Sequence, residues 1–209
     1  MSTAYNRFAG QSLDRLAALS DGLFAIAMTL LVLDLRVPAS ALIRSEGALW
    51  NALVGLSPHL IPYLMSFLTL GIFWVAQQTQ LSQFKRSNRD LAWIHLGFLL
   101  SVSLIPFSTG LLAAFLTFRI ALIVYWANIL LLGFWLYVGW RYGARAGLHR
   151  DEAIGEVSRA TERRILIAQA LYALGALLCV INTYVSIAFI VLVQLNFVIA
   201  PRFLRLHRL

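Results

Sequence analysis

The chain has 209 residues, of which 60% are hydrophobic and 12% charged, with a formal net charge of +8, and its mean hydropathy is +0.78. These values exclude an ordinary soluble domain and describe an integral membrane protein. A spanning helix needs roughly 20 apolar residues, so about six crossings fit with short connections, and apolar runs that are continuous rather than alternating favour helices over a barrel.

The first predicted span covers residues 15–36, from Arg15 into a run that ends at Leu35, with Ser20 and Asp21 near its start. A carboxylate at the bilayer centre costs about 2.5–3.5 kcal/mol on insertion scales, so Asp21 calls for a partner or a wet path. On a helical wheel centred on Ile26, the residues Leu19, Gly22, Leu30 and Leu33 fall within about 40°, whereas Asp21 lies about 140° away. One side is thus an aliphatic stripe and the other carries the acid. An apolar stripe of this kind packs on neighbouring helices or lipid, or faces something else while the acid is paired within the bundle. Thr29 sits about 60° off the stripe, and its hydroxyl has two uses open to it, a polar step on that face or a bond to its own helix carbonyl. The small residues Ala39, Ser40 and Ala41 mimic a signal-peptide cleavage site, but Asp21 interrupts the stretch, which also exceeds the ~7–15 residues of a leader's apolar region. The first helix is expected to belong to the mature protein.

The remaining spans are predicted at 53–78, 90–114, 119–141, 163–182 and 184–203, within a single six-helix domain over 1–209. Pro106, the Ser108 to Gly110 cluster and Arg119 are expected to mark the turn between the third and fourth. Asn182 and Thr183 imply a tight hairpin between the fifth and sixth. The segment 142–162 is polar and is expected to be a solvated linker in which Glu152, Glu156 and Arg159 stand at helical spacings. Gly139, Gly143 and Gly147 recur every four residues, a spacing that permits close helix approach. The single cysteine, Cys179, lies in an apolar run, so no disulfide forms within the chain.

Orientation follows from the basic residues, which are enriched in cytoplasmic loops. Of the 17 Lys and Arg residues, all but Arg36, Arg44 and Arg119 fall on one side. That side includes Arg7, Arg15, Lys85, Arg202, Arg205 and Arg208 and is expected to be cytoplasmic, with both termini there and the protein in the inner cell membrane. Attraction to anionic lipid headgroups explains the positive charge without nucleic acid.

Enzyme chemistry finds no foothold. His59, His95, His149 and His207 are scattered, metal-ligand and phosphate-loop spacings do not occur, and Ser20 and Asp21 point about 100° apart on a helix. No catalytic, cofactor-binding or metal site is expected.

The run that starts at Arg15 and carries Ser20 and Asp21, together with Gly71-Ile72-Phe73-Trp74 and Leu104-Ile105-Pro106-Phe107-Ser108-Thr109, resembles the short bacterial members of the transmembrane protein 175 family, the lysosomal potassium channels. The resemblance covers essentially the whole chain. It departs from the family pattern at Leu19, where Phe is usual, at Gln77, where many members carry His, and at His95, where Asn is common. The resemblance implies an all-α polytopic homotetramer whose central pore is lined by the first helix of each subunit. It implies a hydrophobic constriction at Ile26, Leu30 and Leu33, with Thr29 between rings, in place of a carbonyl-lined filter, and modest potassium selectivity. Potassium is then the permeant ion, and no cofactor is implied. Arg15, Ser20, Asp21, Trp74 and His95 would form the gating network, with Trp74 and His95 as candidate donors to Asp21 and Arg15 either joining them or lying at the pore mouth. The alternative is a proton-coupled transporter or proton-conducting channel using Asp21, and a third reading is a membrane scaffold without a pathway of its own.

Overall fold

The computed structural model of the chain describes residues 12–39, 43–151 and 155–199. Arg7, Ser40, Ala41, Glu152, Arg202, Arg205 and Arg208 lie outside the described residues.

Helix α1 covers Leu13–Leu31 and runs on through a short 3-10 turn, Val32–Asp34. Ser12 starts it by accepting a hydrogen bond from the Arg15 N–H at 3.3 Å, which satisfies one of the otherwise orphaned first-turn donors. A ten-residue helix α2, Glu46–Gly55, precedes α3, Ser57–Ser82. The two separate at Leu56 because Pro58 has no N–H to continue the ladder but fits well in a first turn. The apolar run starting at 53 is therefore split between α2 and α3.

The third crossing is likewise made of two helices, α4 (Arg89–Ser103) and α5 (Ile105–Ala114). Asn88 caps α4 by accepting from the Leu91 N–H at 2.9 Å, and Pro106 supplies the break at Leu104. Here the sequence expectation is corrected. Pro106 and the Ser108 to Gly110 cluster do not mark the turn to the next crossing; they lie inside α5, and the turn falls at 115–118, before α6 (Arg119–Arg145). The hydroxyls are tolerated inside the helix because they are bonded within the bundle, with Thr109 Oγ1 2.7 Å from Ser66 Oγ and Asn128 Nδ2 donating to Ser108 Oγ at 3.2 Å.

The expected linker at 142–162 is mostly helical as well. Helix α6 continues to Arg145, and α7 covers Glu156–Leu177, extended by a 3-10 turn at Leu178–Val180. Glu156, Arg159 and Glu162 are helix formers, so nothing in them stops α7 from starting early. Glu162 pairs with Arg141 of α6 at 3.4 Å. Helix α8 covers Thr183–Ile199 and follows Asn182, whose side chain accepts from the Tyr184 N–H at 2.7 Å.

Among the described residues, five helical runs are long and apolar enough to cross a membrane, and α8 is a shorter apolar helix near the lower limit of roughly 17 residues. Helix α1 packs on α3, α4 and α5, while α6 packs on α4, α5 and α7, and α8 on α3 and α7. The main core contains Phe24, Leu31, Met65, Leu70, Val102 and Leu122, all nearly or fully buried. Close approach sets two details. At Gly97 an added Cβ would stand 2.7 Å from the Trp135 ring, and at Gly143 it would collide with the Phe84 ring. Of the expected glycine repeat, Gly143 alone makes such a tight contact; Gly139 has ordinary neighbours and Gly147 adopts φ 64° with open space around it.

Candidate functional site on the first helix

The faces of α1 follow from its sequence. Ser20, Phe24, Ala27 and Leu31 are buried, spaced four, three and four apart, which places them on one side of a helix. On the other side Ile26 is 58% exposed, Leu30 44%, Leu33 68% and Leu19 47%. An aliphatic stripe is therefore left uncovered by the chain's own bundle. Thr29, also exposed, donates its hydroxyl to the Ile26 carbonyl at 2.8 Å, so its hydrogen is committed within the helix.

The polar residues near the start of α1 divide between two partners. Ser20 is fully buried and its Oγ lies 2.7 Å from His95 Nε2 of α4. It also accepts from Gln77 Nε2 of α3 at 3.0 Å and donates to the Leu16 carbonyl at 2.9 Å. A hydroxyl has one hydrogen and two lone pairs, so this pattern closes when His95 carries its proton on Nε2 and donates to Ser20.

Asp21, one step around the helix, faces α3 alone. Its Oδ1 accepts from Trp74 Nε1 at 2.8 Å and from Gln78 Nε2 at 2.6 Å. Trp74 is thus the donor to Asp21 that the sequence suggests, and His95 is not. The correction has a simple cause: adjacent residues on a helix point about 100° apart, so Ser20 is turned toward both α3 and α4, whereas Asp21 is turned to α3 and away from His95 of α4. Arg15 is exposed and stands apart from both clusters, with its backbone N–H on the Ser12 cap. From sequence Gln77 stands out only as a departure from the family pattern, not as a partner of Ser20, and Gln78 does not stand out at all. The signal was present, since two adjacent amides in an otherwise lipid-compatible helix, three and four residues past Trp74, need polar partners as Asp21 does.

A second polar seam was also missed. The buried Tyr125 hydroxyl of α6 lies 2.9 Å from Thr69 Oγ1 and accepts from Ser66 Oγ at 3.2 Å. Gln194 Nε2 of α8 donates to Thr69 Oγ1 at 2.7 Å. These bonds tie α3, α6 and α8 together in the interior, where no water competes for them.

An α-helical bundle with spanning-length apolar helices, whose first helix is pinned by buried polar bonds on one side and bares an aliphatic stripe on the other, defines a polytopic membrane protein. Residues 15–106 match the family profile described as "Endosomal/lysosomal potassium channel TMEM175". A potassium channel of Streptomyces collinus is 33% identical over 179 residues, covering 83% of this chain and 85% of that protein. A potassium channel of Chamaesiphon minutus is 32% identical over 168 residues, covering 75% of this chain and 82% of its own length. The crystal structure of a lysosomal potassium-selective channel TMEM175 homologue from Chamaesiphon minutus superposes with a TM-score of 0.77 and 26% identity, over 89% of this chain and 96% of that one. The chain belongs to the TMEM175 family.

Proposed function

We propose that the chain forms a modestly potassium-selective cation channel, a homotetramer of the inner cell membrane with both termini cytoplasmic. Its pathway runs between the first helices, where Ile26, Leu30 and Leu33 of each subunit make a hydrophobic constriction. The observation that carries this reading is the division of α1 into a buried face and an exposed aliphatic face. A spanning helix with an unfilled stripe of large side chains can meet lipid or the same stripe of other copies. The family membership, with relatives and a solved homologue named as potassium channels, favours the copies.

The constriction works by dehydration. Aliphatic side chains offer no ligands, so an ion passes only by shedding or compressing its water, and potassium, more weakly hydrated than sodium, loses less. Selectivity is modest for that reason, and narrowing of the same rings closes the pathway by dewetting. Thr29 presents the pathway with oxygen lone pairs only, its hydrogen being bound to Ile26. No cofactor is required; potassium is the transported ion. The gating network is Ser20 with His95 and Gln77, and Asp21 with Trp74 and Gln78. These bonds set the rotation and tilt of α1 against α3 and α4. Asp21 is engaged in that anchoring, which counts against its use as a mobile proton carrier. The orientation is supported by Arg15, Lys85, Arg141, Arg145 and Arg159 lying at one end of the alternating helices and Arg36, Arg44 and Arg119 at the other.

Potassium flux from liposomes holding the purified protein, with its mass in detergent determined alongside, tests the reading. The expected result is passive potassium flux from a four-chain particle. A protein that conducts no ions, or whose flux saturates and is driven by a proton gradient, overturns it.

A further inference from the structure

His149, in the loop after α6 at the Lys- and Arg-rich end of the bundle, is only 3% exposed and sits between the Trp140 and Phe84 rings, with centroids 4.2 and 5.0 Å away. Its Nε2 is closed off over Gly143, where an added Cβ would stand 2.9 Å from it, and has no hydrogen-bond partner. Backbone bonds clasp the ring in place. The Lys85 N–H donates to the Leu148 carbonyl and the Arg150 N–H to the Gln83 carbonyl, both at 2.8 Å, which locks the turn after α3 to the loop on either side of His149. Arg150 Nε adds a third bond, to the Phe84 carbonyl at 3.3 Å.

This arrangement suits a neutral imidazole. A buried ring nitrogen without a partner is least costly as a bare acceptor, which puts the single hydrogen on Nδ1. Protonation makes both nitrogens donors, and the Nε2 hydrogen would then point into a closed space with nothing to accept it. The faces of the Phe84 and Trp140 rings attract a cation, but burial outweighs them and holds the imidazole below the ordinary histidine value. Among the described residues no carboxylate pairs with His149. Of the charged groups around it, Lys85 shares a cleft with the ring and Arg150 follows it in the chain, and both oppose a further positive charge. On α6, Arg141 is paired with Glu162, Tyr142 donates to Asp90 of α4, and Arg145 is exposed. Asp151 of the loop is exposed too, and Glu156, in the first turn of α7, does not line the cleft beside His149.

The clasp reaches the first helix. Phe84 belongs to a small core with Leu81, Leu91 and Leu148, and Leu13 and Ala17 of α1 pack on that core. The ring that stacks on His149 thus helps to seat the start of α1 against the bundle. We propose that His149 is an acid-sensitive latch on α1: once protonated it leaves the stack, the two clasped connections part, and the start of α1 loses its seat and settles toward the pore axis. The proposal rests on the channel function proposed for the chain, and its consequence is that acid at the Lys- and Arg-rich face lowers potassium flux.

Hydrogen–deuterium exchange of the full chain in detergent, corrected for the intrinsic effect of pH on amide exchange, reads the latch without conduction. Between about pH 7.5 and about pH 5.5 the protection of the Lys85 and Arg150 amides is expected to fall about tenfold, the factor by which a freed histidine titrating near 6.5 favours the open state. In His149→Phe, which keeps a ring in the stack and gains no proton, protection is expected to stay constant. Amides of the unaltered protein equally protected at both pH values, or an equal loss in the variant, overturn the proposal. Potassium flux from liposomes with the same pH on both sides is expected to fall over that range in the unaltered protein and to hold in His149→Phe. A conducting protein whose flux is the same at both pH values overturns the link to α1. A protein that conducts at neither pH contradicts the channel function instead, and the exchange result still decides the latch.

Discussion

Ser20 is the residue on which the buried end of α1 turns, since its one hydroxyl meets His95, Gln77 and the Leu16 carbonyl together. Ser20→Ala takes a partner from a buried imidazole and a buried amide, which keep only a long 3.4 Å contact with each other on this side, at a cost of about 1–3 kcal/mol. The expected outcome is a lower Tm in detergent, and an unchanged Tm would mean that water or another group satisfies them. Asp21→Asn replaces a charged acceptor by an amide facing two donors, Trp74 and Gln78; the expected result is impaired assembly or opening. Normal tetramers with normal currents would remove Asp21 from the gating network. His149 lies outside the spanning helices, and burial holds its imidazole below the ordinary histidine value. The unfolded chain therefore takes up a proton that the folded one resists, and stability declines as pH falls below about 6.5. A melting series across that pH, compared with His149→Gln, checks this: the variant should show the smaller decline.

At the scale of elements, glycines and prolines decide where helices approach and where they break. Gly143→Ala would push a methyl group into the Phe84 ring, an overpacking cost of about 1–3 kcal/mol. The expected effect is a lower Tm, whereas Gly139→Ala, with only ordinary contacts around it, leaves Tm nearly unchanged. Equal effects would contradict the close contact. The helical character and the two faces of α1 were legible in sequence because a periodic apolar pattern reports burial directly. The place of Pro106 was not. A proline ends one helix and starts the next equally well, and only the packing of Ser108 and Thr109 against Asn128 and Ser66 shows that the chain continues in the same direction. Trp74 was legible as a partner of Asp21 through the family resemblance, which set both in one network. His95 was misassigned because pairing depends on the angle between neighbouring helices, which a wheel for one helix does not contain.

For the molecule as a whole, the bundle buries Phe24, Ala27 and Leu31 of its first helix and leaves Ile26, Leu30 and Leu33 uncovered. In the proposed tetramer four such stripes come together around one axis. The hydrogen bonds of Ser20 and Asp21 lie on the far side of the same helix, so the proposed pathway and the packing share one helix. The most direct measurement is the reversal potential under bi-ionic potassium and sodium conditions, for the unaltered protein and for Ile26→Asn. The account predicts a potassium preference that shrinks toward zero in the variant, because an amide replaces part of the lost water for both ions. A reversal potential unchanged by Ile26→Asn would contradict the placement of the ion pathway on this face.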